Sequence, residues 1–177
     1  MLLRDYRRSD FETMWELDQA CFPPGIAYSR SELRGFLSLE AAETIVAETH
    51  GRVVAFVIGW RRRRDTGHVI TLDVAAAVRR RGLGRQLVVE LERRFRAAGV
   101  TRIELETALT NTAAIAFYER LGYGKVAKLA GYYGPGSHAW KMEKAVSCPL
   151  PHVRPGRRGR AVAALPQRRC HPRCASA

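Results

Sequence analysis

The stretch from Val69 to Gly99 constrains this chain more than any other. Val69–Val78 is an apolar, strand-like run interrupted by Asp73, and it leads directly into the turn Arg79-Arg80-Arg81-Gly82-Leu83-Gly84. Leu83, Leu87, Val88, Leu91 and Phe95 then recur at helical spacing through Ala98, and Gly99 ends the repeat. A strand therefore feeds a glycine turn that opens into an amphipathic helix. The first turn of a helix leaves N–H groups without intrahelical acceptors and carries the positive end of the dipole. Glycines let the main chain close around an anion with no Cβ in the way. The geometry suits a diphosphate, with the three arginines adding charge. Taken alone, the same residues also describe a turn whose glycines serve backbone geometry, with arginines on a solvated face. Two nucleotide fingerprints are absent: no Gly-x-x-x-x-Gly-Lys-Ser/Thr occurs, and no third glycine follows at the dinucleotide spacing.

The rest of the folded part reads in the same terms. Residues 1–7 form a first strand. Ser9 and Asp10 are placed to cap a helix running to about Gln19, with Phe11, Met14, Trp15 and Leu17 as its apolar content. Phe22-Pro23-Pro24-Gly25 breaks the chain, and Ser29 or Ser31 caps a short helix holding Leu33, Phe36 and Leu37. Thr44–Glu48 and Val53–Trp60 read as a hairpin about His50-Gly51. Val100, Ile103 and Leu105 form a strand that leads to Thr107. Asn111 caps a helix with Ile115, Tyr118 and Leu121, which Gly122 ends. Strands over about Gly124–Gly131 and His138–Lys144 complete an alternation expected of a mixed α/β sheet.

Composition changes near Ala145. Pro149, Pro151, Pro155, Pro166 and Pro172 follow, with seven arginines and no acidic residue, so the tail supplies seven of the formal +13 charges. This predicts one domain over residues 1–147 and a flexible basic arm over 148–177. The arm offers a possible nucleic-acid contact, although no zinc-finger, helix-turn-helix or aromatic RNA-binding signature accompanies it. Cys148, His152, Cys170, His171 and Cys174 lack zinc-knuckle spacing, so no metal is expected. No apolar run approaches the roughly 18 residues of a membrane span. The charged start Arg4-Asp5 lacks a signal-peptide apolar region, so the expected location is cytoplasmic.

Two blocks together carry a family resemblance. Arg79-x-x-Gly82-x-Gly84 resembles the acetyl-CoA motif of the GNAT N-acetyltransferase superfamily. Asn111-Thr112-Ala113-Ala114-Ile115-Ala116-Phe117-Tyr118-Glu119-Arg120-Leu121-Gly122-Tyr123 resembles its second block, in the right order and at the right distance. The resemblance covers roughly residues 1–144. It implies a central, largely antiparallel mixed sheet of about seven strands, splayed between the fourth and fifth, with about four helices. It also implies acetyl-CoA as cofactor. The pantetheine would lie in a gap opened by a bulge at Leu72–Ala75, facing backbone groups of Leu72 and Val74. The turn Arg79, Arg80, Arg81, Gly82, Leu83, Gly84 and Arg85 would hold the pyrophosphate, Asn111 would meet the pantetheine arm, and Tyr118 would sit near the sulfur.

Within the superfamily the chain is most similar to protein N-terminal acetyltransferases, including the bacterial enzyme acting on the N-terminal alanine of a ribosomal protein. Ala20-Cys21-Phe22-Pro23, Leu105-Glu106-Thr107 and Tyr132-Tyr133 carry that likeness, the two tyrosines as a grip on the acceptor's first residues. The acidic pair that often follows the double tyrosine is replaced by Gly134-Pro135-Gly136-Ser137-His138-Ala139. The implied acceptor is a protein N-terminus, such as that of a ribosomal protein; a small-molecule amine or a lysine side chain is the alternative. A non-catalytic acyl-CoA sensor and a nucleic-acid module are readings of other classes.

The chemistry would be direct transfer in a ternary complex. An α-amino group has a pKa of about 8 and is largely protonated at neutral pH, so a general base is needed. Glu106 is the candidate, directly or through a water, and Tyr118 is the candidate proton donor to the departing thiolate. Residue pattern alone leaves Glu106 either on the site or facing solvent, Tyr118 either functional or packed, and Tyr132-Tyr133 either substrate loop or strand end. His68 reads as a structural strand-end histidine, Cys21 as unactivated, and Arg61–Arg64 as a solvated hairpin end.

Overall fold

The computed structural model describes residues 1–23 and 25–146. The division expected at residue 147 and the cysteine and histidine cluster of the tail lie outside the described residues. Seven strands form one sheet: β1 (Leu2–Asp5), β2 (Ala42–Thr49), β3 (Arg52–Arg61), β4 (Thr66–Val74), β5 (Arg102–Ala108), β6 (Gly124–Leu129) and β7 (Ala139–Ala145). Their order across the sheet is β1-β2-β3-β4-β5-β7-β6. Every pair is antiparallel except β4–β5, which runs parallel. Four α-helices cover it: α1 (Phe11–Cys21), α2 (Arg30–Leu37), α3 (Leu83–Ala97) and α4 (Thr112–Arg120). The expected fold, a mixed sheet splayed at its centre, is the one observed.

Each face has its own core. The front joins Leu83, Leu87, Val88, Leu91 and Phe95 of α3 and Ala114 and Tyr118 of α4 to Val69, Leu72, Val74, Ile103, Leu105 and Met142 of the sheet. Each buried Leu, Val, Ile, Phe or Met among them stabilises the fold by roughly 1.5–3 kcal/mol. Helix α3 lies so close that a Cβ on Gly67 would fall 2.5 Å from the Phe95 ring. The back joins Phe11, Met14 and Leu33, from α1 and α2, to Val46, Phe56, Ile58 and Ile70.

Local signals set many of the boundaries. His50 (φ 49°) and Gly51 (φ 74°) turn the β2–β3 hairpin with two left-handed residues, which matches the twist of the flanking strands. Ser29 caps α2 by accepting from Glu32 N at 3.2 Å, and Glu32 Oε2 returns the bond to Ser29 N at 2.9 Å. Asn111 Oδ1 caps α4 by accepting from Ala114 N at 3.0 Å.

Two expectations are corrected. Asp10 sits before α1 but makes no side-chain cap. Its carboxylate takes Arg4 Nη1 and Nη2 at 2.7 and 2.9 Å and Arg7 N at 2.7 Å. The arginine bonds hold the Asp10 carboxyl below the usual range, against the opposing pull of burial. The fork of a charged donor is a stronger partner than one helix N–H. The β4 irregularity, expected at Leu72–Ala75, lies earlier. Ile58 pairs Thr71 and Gly59 pairs Val69, so Ile70 is the extra residue. Ile70 therefore joins the back core while Val69, Leu72 and Val74 face front. A bulge reverses side-chain parity across itself, which turns His68 to the back face.

Candidate active site

Strands β4 and β5 pair only over Thr66–His68 and Arg102–Glu104. Beyond that point each continues, β4 to Val74 and β5 to Ala108, without pairing the other. The sheet opens there into a gap with a front and a back approach.

On the front, a cleft of about 710 Å³ is lined by Val74, Val78, Arg79, Arg80, Gly82, Leu83, Gly84 and Arg85, and from α4 by Ala113, Ala116, Phe117, Arg120 and Leu121. Arg80 (φ 63°) and Gly82 (φ 79°) are both left-handed, so the turn holds a strained non-glycine residue at the cleft mouth. Gly82 precedes α3, whose first-turn N–H groups at Leu83, Gly84 and Arg85 have no intrahelical acceptors. Together with Arg80, Arg85 and Arg120 these make a positive rim over a partly apolar floor, which fits a nucleotide diphosphate with a narrow apolar arm.

Not every residue expected here reaches the cleft wall. Arg79 lines it, but its Nε donates to Val74 O at 3.0 Å and its Nη2 to Cys21 Sγ at 3.6 Å, which ties the turn back to β4 and α1. Arg81 is exposed and outside the lining. The Leu72 side chain is buried under Gly84, 3.5 Å from where a Cβ there would lie. Asn111 commits its side-chain oxygen to the α4 cap. Tyr118 is fully buried beside the cleft-lining Phe117, with ring centroids 5.0 Å from Phe117 and 5.4 Å from Tyr123. Phe117 and Arg120 belong to the cleft although no sequence motif assigns them a role there; they lie on α4 one turn apart, so both reach the same side.

On the back, Glu106 is the focus. It is 6% exposed, so the solvent-facing alternative does not hold. His68 Nε2 lies 2.8 Å from Glu106 Oε2, with both side chains buried. The Tyr132 phenol lies beside the Glu106 carboxylate; burial, then the Glu106 charge, pushes it well above its usual range. Tyr133 OH donates to the Glu106 carbonyl at 3.4 Å. Both tyrosines belong to the loop between β6 and β7, which turns through left-handed Gly131, Gly134 and Gly136. By its local pattern His68 is only a structural strand-end histidine, yet the structure brings it to Glu106. The signal is parity: the bulge at Ile70 aligns His68 with Thr71 and Asp73 on the back.

The opposite wall comes from the segment between α1 and α2. Tyr28 is anchored by three bonds to α1: its N–H donates to Asp18 Oδ2 at 2.6 Å, and its carbonyl accepts from Trp15 Nε1 at 3.1 Å and Gln19 Nε2 at 2.9 Å. Deeper on this face Asp73 is completely buried. Burial, then the nearby Asp18 charge, holds its carboxyl well above the ordinary range, and Thr71 Oγ1 donates to it at 3.4 Å.

A split sheet, an anion-binding helix start on one side and a buried carboxylate on the other define a cofactor-dependent group-transfer enzyme. The particular family follows from comparison: the chain belongs to the GNAT acetyltransferase family, whose model matches residues 11–123. A curated relative, an uncharacterised N-acetyltransferase of Methanocaldococcus jannaschii, is 33% identical over 148 residues, covering 81% of this chain and 91% of the relative. An N-alpha-acetyltransferase of Arabidopsis thaliana is 28% identical over 119 residues, covering 66% and 63% of the two chains. Among solved structures, the ribosomal-protein-S18-alanine N-acetyltransferase of Escherichia coli shares the fold with a TM-score of 0.75 at 22% identity, covering 86% of this chain and 98% of that one. The protein is thus an N-acetyltransferase that uses acetyl-CoA. No helix among the described residues is long and apolar enough to cross a membrane.

Proposed function

We propose that the acceptor is the α-amino group of a protein or peptide. The observation that carries this reading is the convergence of His68, Tyr132 and Tyr133 on Glu106 where β4 and β5 part. The printed names of the Arabidopsis and Escherichia coli relatives, an N-alpha-acetyltransferase and a ribosomal-protein-alanine N-acetyltransferase, point the same way. A ribosomal protein and a cytoplasmic setting are consistent with it.

The cofactor supplies an activated acetyl thioester. The front cleft would hold it through the main-chain N–H groups at the start of α3, with Arg80, Arg85 and Arg120 balancing the phosphates. From the back, the acceptor meets Glu106. An α-ammonium must lose a proton to become nucleophilic, and the Glu106 carboxylate is the buried acceptor for it. His68 donates to Glu106 Oε2, which fixes the carboxylate's orientation and stabilises its charge. Tyr132 and Tyr133 position the acceptor beside it. Tyr118, beneath the cleft wall, would give a proton to the departing thiolate.

The test is thiol release from acetyl-CoA with a panel of short peptides that differ in their first residue, alongside small amines. Tandem mass spectrometry then locates the added acetyl group. Acetylation on the peptide α-nitrogen is expected; turnover on small amines or lysine side chains with none on any α-amino group contradicts the reading.

A further inference from the structure

Below the point where the strands part, a second cavity of about 270 Å³ is lined by Arg62, Arg63, Thr66, Arg102, Glu104 and Lys141. Four cations face one carboxylate. Glu104 is buried and already accepts from Lys141 Nζ at 2.7 Å and Arg62 Nη1 at 3.3 Å. Burial opposes its ionisation most strongly, but the Lys141 bond and the neighbouring positive charges together outweigh it and keep the carboxyl below its usual range. Arg63 and Arg102 have no carboxylate partner within 4 Å among the described residues; Arg102 Nη2 meets only the Thr66 hydroxyl, at 3.4 Å.

We infer that this cavity is a subsite for an acidic side chain near the N-terminus of the acceptor, with Arg63 and Arg102 as its unneutralised donors. The inference rests on the peptide-acceptor reading above. Its first support is position. Arg102, Glu104 and Glu106 alternate along β5 and so share its back face. At about 3.3 Å per residue, Glu104 lies roughly 7 Å and Arg102 roughly 13 Å from Glu106. A peptide whose amine rests at Glu106 and whose chain runs extended along β5 brings its third or fourth residue, or a long second side chain, over the cavity. Charge is the second support. A guanidinium fork matches a carboxylate in shape and sign, whereas a polycationic amine would be repelled by the same lining. The third is size: 270 Å³ holds a carboxylate side chain and several waters of about 30 Å³ each.

The experiment compares kcat/KM for matched peptides carrying Glu, Gln or Lys at positions two to four, for the parent enzyme and for R63A/R102A. The parent should prefer Glu over Gln by about tenfold, chiefly in KM, with Lys below Gln. That preference should shrink in 0.5 M salt, because exposed charges are screened. In R63A/R102A the Glu-to-Gln ratio should fall to within twofold of one. Equal use of Glu and Gln peptides by the parent, or a preference that survives in R63A/R102A, overturns the subsite while leaving the peptide-acceptor reading in place. Absence of turnover on every peptide, with turnover on small amines, overturns both.

Discussion

The two sides of the sheet's central gap are built from different materials. The front cleft centres on main chain, a strained turn, a left-handed glycine and the open N–H groups of α3, rimmed by the Arg80, Arg85 and Arg120 side chains. The back is side chain: His68, Glu106, Tyr132 and Tyr133, contributed by β4, β5 and the β6–β7 loop. A main-chain site binds any ligand with the right charge and shape, and it is fixed by a few consecutive residues. A convergent side-chain site depends on the whole topology and sets which acceptor reacts. On the proposed reading, the front defines the shared cofactor and the back carries the specificity.

Substitutions on the two sides should therefore separate binding from turnover. The largest effect is expected at Glu106. Glu106→Gln keeps the shape and removes the proton acceptor, so steady-state turnover should fall by about 10²–10⁴-fold. Residual activity within tenfold of the parent would move the base elsewhere. A smaller effect is expected on the front. Gly82 has φ 79°, and an alanine there is strained by roughly 1 kcal/mol. Gly82→Ala should weaken acetyl-CoA binding about fivefold with little change in kcat, and unaltered affinity would show that the turn does not need this conformation.

The smallest expected change concerns stability. Asp73 has its folded pKa raised above the unfolded value by burial and by Asp18. Below about pH 4 both states hold the proton and the residue costs nothing. As pH rises through the unfolded value, the unfolded chain ionises while the folded chain stays protonated, so stability falls until the folded pKa is passed. Asp73→Asn should therefore raise the melting temperature by on the order of a few degrees at neutral pH, with the gain vanishing toward pH 4. A gain independent of pH would contradict a protonated Asp73.

Legibility in the sequence follows the same division. The α3 repeat, the His50-Gly51 hairpin, the Asn111 cap and the glycine turn before α3 are specified by neighbours in the chain, and they stand where the pattern predicts. The failures involve partners far apart. Asp10 looks like a cap because the Arg4 fork that claims it comes from a different element. His68 looks structural because Glu106 is 38 residues away. Its approach depends on one extra residue at Ile70, which no local pattern places. Arg79 lines the cleft as expected, and its bonds to Val74 O and Cys21 Sγ, partners that the local pattern does not show, also hold the turn in place.

The division of labour can be tested most directly by calorimetric titration of acetyl-CoA into the parent protein and into His68→Gln/Glu106→Gln. The two-sided account predicts the same dissociation constant within about threefold, with turnover lost in the doubly substituted protein. A tenfold or greater loss of acetyl-CoA affinity would show that the back of the gap also holds the cofactor, and would contradict it.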